Sequence, residues 1–189
     1  MKNKNGHSFI IILVTIIVFA SCKKHKTVNP IDQLPPETQT GANKFGCLVD
    51  GKAFLPGGAA FSGGSLQCNY QFDNGFYFIL IGRYQNLRNG IGNGSVGLFT
   101  DSLKIEEGKR IPLGVRMNGN ASGARRKDTS SYQAEEFDTN GNLYTGELYI
   151  KKLDTIHQIV SGTFFFDAVN SNGLKSEIRD GRFDVRYTR

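Results

Sequence analysis

The chain has no tryptophan, and only three histidines, three cysteines, five prolines and two methionines among its 189 residues. Each shortage removes a class of function. Without tryptophan the broadest stacking platform for a sugar ring is missing, leaving Tyr70, Tyr84, Tyr132 and Tyr149 as weaker candidates. His7 and His25 precede the folded part, so His157 stands there alone, too few for a histidine metal centre or a Ser-His-Asp relay. No HExxH, CxxC or G-x-S-x-G spacing occurs. A strong charge excess is lacking too: the net +6 falls to +4 once residues 1–21 are removed and to +3 from Lys44 onward. That balance is too even for a nucleic-acid footprint, which needs a clustered basic face.

What is present begins with a leader. Lys2 and Lys4 precede an apolar run from Phe9 to Ala20 broken only by Thr15. Twelve helical residues span ~18 Å of a ~30 Å hydrocarbon core, short for a membrane-spanning helix and right for the core of a signal peptide. Ala20 and Ser21 before Cys22 resemble the lipobox of bacterial lipoproteins. The resemblance implies cleavage before Cys22 and lipid on its thiol and new amino group. From Lys23 to Ala42 the chain carries Pro30, Pro35 and Pro36 and little to bury, so residues 22–43 are expected to be a flexible spacer. Lys23, Lys24 and Lys26 stand where an acidic export signal would lie, which points to the periplasmic face of the outer membrane.

Residues 44–189 suffice for one domain. In an oxidising compartment Cys47 and Cys68 form an even pair, and a disulfide between them is expected; two buried unpaired thiols are the alternative. Runs of alternating apolar residues recur about every ten positions, separated by turn signals: Asp50-Gly51, Asp73-Asn74-Gly75, Asn89 to Gly94, Asp138 to Gly141 and Asp180-Gly181. Phe76 to Tyr84 is apolar on both sides. Gly119 to Ser130, with Arg125-Arg126-Lys127, reads as a polar loop able to meet lipid headgroups, Leu103 to Lys109 as a brief helical turn, and Leu174 to Tyr187 as a terminal hairpin. Twenty-one of the 23 glycines lie from Lys44 onward, matching many turns and bulges. The reading is an all-β fold, an antiparallel β-sandwich or partly closed barrel of about ten strands, preceded by a signal peptide and a disordered linker.

Ser161 to Ala168 (SGTFFFDA), Ile178 to Val185 (IRDGRFDV) and Cys47 to Phe54 together resemble segments of a family of small lipoproteins of unknown function from Bacteroidota. The resemblance implies a shared β fold and an envelope location, and no catalytic residues.

The function expected is therefore a non-catalytic binding or structural module of the cell envelope. It would be held to the membrane through lipid on Cys22, would meet a glycan, peptide or outer-membrane protein, and would need no metal or cofactor. A barrel holding an apolar ligand is the alternative. A hydrolase would have to draw on Glu106, Glu107, Glu135 and Glu136, and neighbouring glutamates on a strand face opposite ways. Asp138, Asn140 and Asn142 share the spacing of a calcium loop, but Leu143 and Tyr149 stand where glycine and glutamate are needed. Asp101-Ser102-Leu103 and Asp154-Thr155-Ile156 are similar to an O-glycan acceptor.

Overall fold

The computed structural model describes residues 28–58, 65–72, 74–85, 94–130 and 133–189. The leader, Cys22, residues 89–93 and Tyr132 lie outside the described residues. The fold is all-β. Among the described residues twelve strands run in chain order: β1 (Lys44–Val49), β2 (Lys52–Phe54), β3 (Gly57–Gly58), β4 (Leu66–Phe72), β5 (Phe76–Gln85), β6 (Gly94–Thr100), β7 (Arg110–Leu113), β8 (Ala121–Asp128), β9 (Ala134–Asp138), β10 (Gly146–Asp154), β11 (Ile159–Val169) and β12 (Lys175–Arg186). Among the described residues the only helical element is the 3-10 turn Pro30–Gln33.

The strands form one sheet in the order β2-β1-β12-β11-β10-β7-β8-β6-β5-β3, with β4 on β5 and β9 bridging β8 and β11. Nearly all pairings are antiparallel. Thr188, just past β12, meets Asn69 of β4, and the Tyr70 N–H donates to Thr188 O at 2.9 Å while the Thr188 N–H donates to Cys68 O at 3.0 Å. These bonds bring the two ends of the sheet together, making a partly closed barrel. The barrel is filled by its own side chains: Phe78, Leu80, Val96, Leu98, Leu148, Ile150, Phe166 and Ile178 belong to one core and are fully buried. On β5 only one face is deeply buried; Ile79 and Ile81 opposite remain half-buried, so this strand is not covered on both sides.

Asp50 and Gly51 take the left-handed conformations, φ 51° and 76°, that a tight hairpin requires, and β1–β2 and β4–β5 form as the alternation predicts. The second Asp-Gly does something else. β12 is one continuous strand, and Asp180 (φ 52°) is an extra residue within it. Gly46 and Leu48 of β1 oppose Arg182 and Arg179, and Phe164 and Phe166 of β11 oppose Gly181 and Ile178, so both neighbours skip at the same point. This is a β-bulge, and it shifts the inward-facing set from Ser176 and Ile178 to Phe183, Val185 and Tyr187. Gly181 also leaves room for the Phe164 ring, which would lie 2.6 Å from any Cβ there.

Two further segments differ from the sequence reading. The polar stretch 119–130 contains β8, whose inward positions Ala121 and Gly123 are small because Phe166 fills the space; its ring would sit 2.7 Å from a Cβ at Gly123. Hydrophobic alternation is therefore absent from a true strand. Residues 103–109 form no helix but carry Ile105, fully buried, into one end of the barrel.

The largest departure is the spacer. Residues 28–43 lie against the barrel, with Leu34 only 7% exposed, and they are fixed by one carboxylate. Asp184 Oδ2 accepts from Thr38 Oγ1 (2.6 Å), the Thr40 N–H (2.9 Å), Thr40 Oγ1 (3.2 Å) and the Ala42 N–H (3.2 Å), while Oδ1 accepts from the Gly41 N–H (2.7 Å). Asp184 is 1% exposed although it points to the outer face of the barrel, because this segment covers it. Burial alone would raise its pKa. The bonds from Thr38, Thr40, Gly41 and Ala42 outweigh burial and hold the carboxyl below its usual value.

A folded-state pKa below the unfolded one means the clasp stabilises the fold fully above about pH 4 and loses that effect as pH falls through the folded value. Replacing Asp184 with Ala is expected to cost about 2–4 kcal/mol at neutral pH in urea unfolding, and to cost progressively less as the pH falls below about 4. Hydrogen exchange should show protection lost at Thr40, Gly41 and Ala42 before any strand amide.

Candidate functional site

The β4–β5 hairpin places Phe72 and Phe76 at the barrel end that Ile105 plugs. There the Leu103 N–H donates to Phe76 O at 3.0 Å, and Tyr70 Oη donates to Ile105 O at 3.4 Å. The plug leaves an aromatic wall outside it. Tyr70 stacks on Phe76 at 5.9 Å between centroids and meets Tyr187 edge-on at 5.7 Å, while Phe72 leans on Phe76 at 5.0 Å. These four rings line an open cleft of about 400 Å³ whose rim is Gln71, Thr155 and Arg189. Phe72 is 69% exposed, the most exposed of the four rings. Arg189 Nη2 donates to Thr155 O at 2.6 Å, which holds its guanidinium at the rim, and Lys104 Nζ stands 5.8 Å from the centre of the Phe76 ring.

Burial pushes the Tyr70 hydroxyl up, with Tyr187 adding to it, so the phenol remains a neutral donor. Next to Thr155, the Asp154 carboxylate accepts from the His157 N–H (2.9 Å), the Ile156 N–H (3.0 Å) and His157 Nδ1 (2.9 Å) and is held at about 2, chiefly by the His157 bonds. These contacts close a turn, and His157 is an exposed turn residue. The cleft offers flat apolar surface with donors on its rim.

Tyr70 is the one tyrosine of the sequence-derived set found in this wall. Tyr149 lies under Arg110, 4.4 Å from its ring centre, and Tyr84 is at the far end of β5. Phe72, the most exposed member, carries no motif of its own; its one sequence signal is an aromatic residue directly before the turn Asp73-Asn74-Gly75.

The four glutamates are separately engaged. Glu106 faces Lys104 at 3.7 Å, Glu107 accepts from the Leu153 N–H at 2.9 Å, Glu135 pairs with Lys127 at 3.5 Å, and Glu136 with Arg126 at 2.8 Å. No group of three metal-capable side chains occurs among the described residues. Asn140 Oδ1 accepts from the Asn142 and Tyr144 N–H groups, so the calcium-like spacing is a turn. Arg125, Arg126 and Lys127 are not a loop patch: they belong to β8 and pair with Asp50 (3.6 Å), Asp128 (2.9 Å) and Glu135 respectively. Of the two glycan-acceptor look-alikes, Thr155 is exposed, whereas Ser102 is half-buried against Asp101 and Tyr77.

The expected bridge between Cys47 and Cys68 does not form; both are buried free thiols. The sheet explains why. Cys47 lies between Gly46 and Leu48, opposite Arg182 and Arg179 of β12, while Cys68 sits beside Thr188. Six or more residues along one strand separate these levels, about 20 Å at ~3.3 Å each, and a disulfide needs Cα atoms within ~7 Å. Burial pushes both thiols far up.

Comparison of the chain with protein-family models, with curated proteins and with solved structures gives no match in any of the three.

Neither thiol of the folded chain is expected to react with a maleimide at neutral pH, and both should react once the chain is unfolded in urea. A reductant should leave the melting temperature unchanged. A mass two units lower than the thiol form, recovered with reductant, would contradict this geometry.

Proposed function

We propose that the protein is a non-catalytic binding module of the bacterial cell envelope, tethered by lipid on Cys22, and that the aromatic cleft beside Phe72 is where it takes its ligand. The observation that carries the reading is Phe72, 69% exposed above a concave wall of Tyr70, Phe76 and Tyr187 with polar groups at the rim. A glycan, a peptide or a neighbouring outer-membrane protein each suits such a surface. Rings present a face to sugar C–H groups or to apolar side chains, and Gln71 and Arg189 supply hydrogen bonds. The dispersed, individually paired glutamates support binding rather than hydrolysis. A barrel holding an apolar ligand is the weaker reading, because the interior is occupied by Phe78, Leu80, Leu98 and Phe166.

Substituting Phe72 with Ala should leave stability within about 1 kcal/mol of the parent, since the ring is mostly exposed, while reducing ligand retention at least tenfold. The measurement is binding of the parent and variant to arrays of envelope glycans and synthetic peptides. Retention that is equal in the two proteins would place the ligand elsewhere, and retention of nothing by either would remove the reading.

A further inference from the structure

Five residues separate Cys22 from Val28, where the described chain begins, and from the 3-10 turn Pro30–Gln33 onward the chain lies against β1 and β2. Asp184 takes residues 38–42, Arg182 Nη1 donates to Pro35 O at 3.4 Å, and Glu37 pairs with Lys151. A wholly free spacer of residues 22–43 would reach roughly 70 Å at ~3.3 Å per residue; eight steps from Cys22 to Pro30 reach about 26 Å. A domain of about 160 residues has a radius of gyration of ~15 Å, so the shorter line is less than the width of the body it holds. A body on so short a line cannot turn freely, and the face from which the line emerges is the face presented to the anchor.

That face has the chemistry of a lipid surface. Val28, Ile31 and Leu55 are 60%, 36% and 39% exposed. Leu55 belongs with the held segment: its Cδ2 and Pro35 Cδ converge over Gly46, 3.0 and 2.6 Å from where a Cβ would stand. Lys44, on the same outer side of β1 as Gly46, is exposed. Between residues 23 and 55 there are five lysines and three acids. Glu37 is engaged by Lys151 and Asp50 by Arg125, which leaves Asp32 as the one acid set against these lysines, so the sequence on the anchor side carries a net positive charge beside exposed aliphatic side chains.

We propose that this face rests on the bilayer, with Val28, Ile31 and Leu55 at the boundary between headgroups and acyl chains and Lys44 among anionic headgroups. The proposal rests on the reading of Cys22 as the lipid anchor and adds which side of the barrel faces the lipid. β7 and β8 lie across the ring from β1, so their connection points away.

Because the chain has no tryptophan, a single introduced indole reports only its own position. The test uses the processed full chain in vesicles of neutral and anionic phospholipids with brominated acyl chains, carrying Val28→Trp, Ile31→Trp or Leu55→Trp. Met117→Trp and Leu143→Trp are the controls, at exposed positions on the β7–β8 and β9–β10 connections. Emission from the first three is expected to be quenched at least twofold more than from the controls, and less so when the anionic lipid is omitted. Protein that floats with the vesicles but is quenched equally at all five positions overturns the orientation alone. Protein that does not float with vesicles overturns the anchored reading and the orientation with it.

Discussion

One buried carboxylate decides where this domain begins. Asp184 sits on the outer face of β12, a position that alternation assigns to solvent, and an ionised group removed from water there is sustained only by the donors brought to it. The donors come from residues 38–42, over 140 positions earlier in the chain. Once that segment is fixed, Pro35, Leu34 and the 3-10 turn follow it onto β1 and β2. What composition marks as a spacer becomes the outer layer of the barrel.

The barrel owes its shape to a second local device. Without the extra residue at Asp180, β12 could not present Ile178 and Phe183 to the same interior while pairing with β1 and β11 along its length. The bulge keeps the two halves of the longest strand in one core. It also carries Tyr187 and Thr188 onward to β4, where the ring closes. The aromatic cleft lies just beyond that closure, so its wall depends on the register set at Asp180.

The strand pattern was legible because it rests on short-range alternation and turn chemistry: β4, β5 and the Asp50-Gly51 turn lie where these signals put them. The same Asp-Gly signal at 180–181 was misread as a hairpin, since one dipeptide serves a turn or a bulge, and only the neighbouring strands choose between them. β8 was missed because Phe166 reaches across to it and demands small residues, which erases the apolar alternation. The cysteine pair was read from its compartment and its parity; neither encodes height along a strand, which keeps Cys47 and Cys68 apart. Of the site, Tyr70 was foreseen as a candidate. Phe72 and Tyr187 join it only through the β4–β12 closure, a long-range contact that no local pattern announces.

The claim on which the rest stands is that Asp184 is ionised, buried and bonded to residues 38–42 in the folded protein. Carbon-13 NMR of its carboxyl group through an acid titration of the folded chain reads this directly. The account predicts a midpoint below the ordinary aspartate value of 3.8, with the amide signals of Thr40, Gly41 and Ala42 moving at the same midpoint. A midpoint at or above 3.8, or amides at 40–42 indifferent to it, would contradict the clasp.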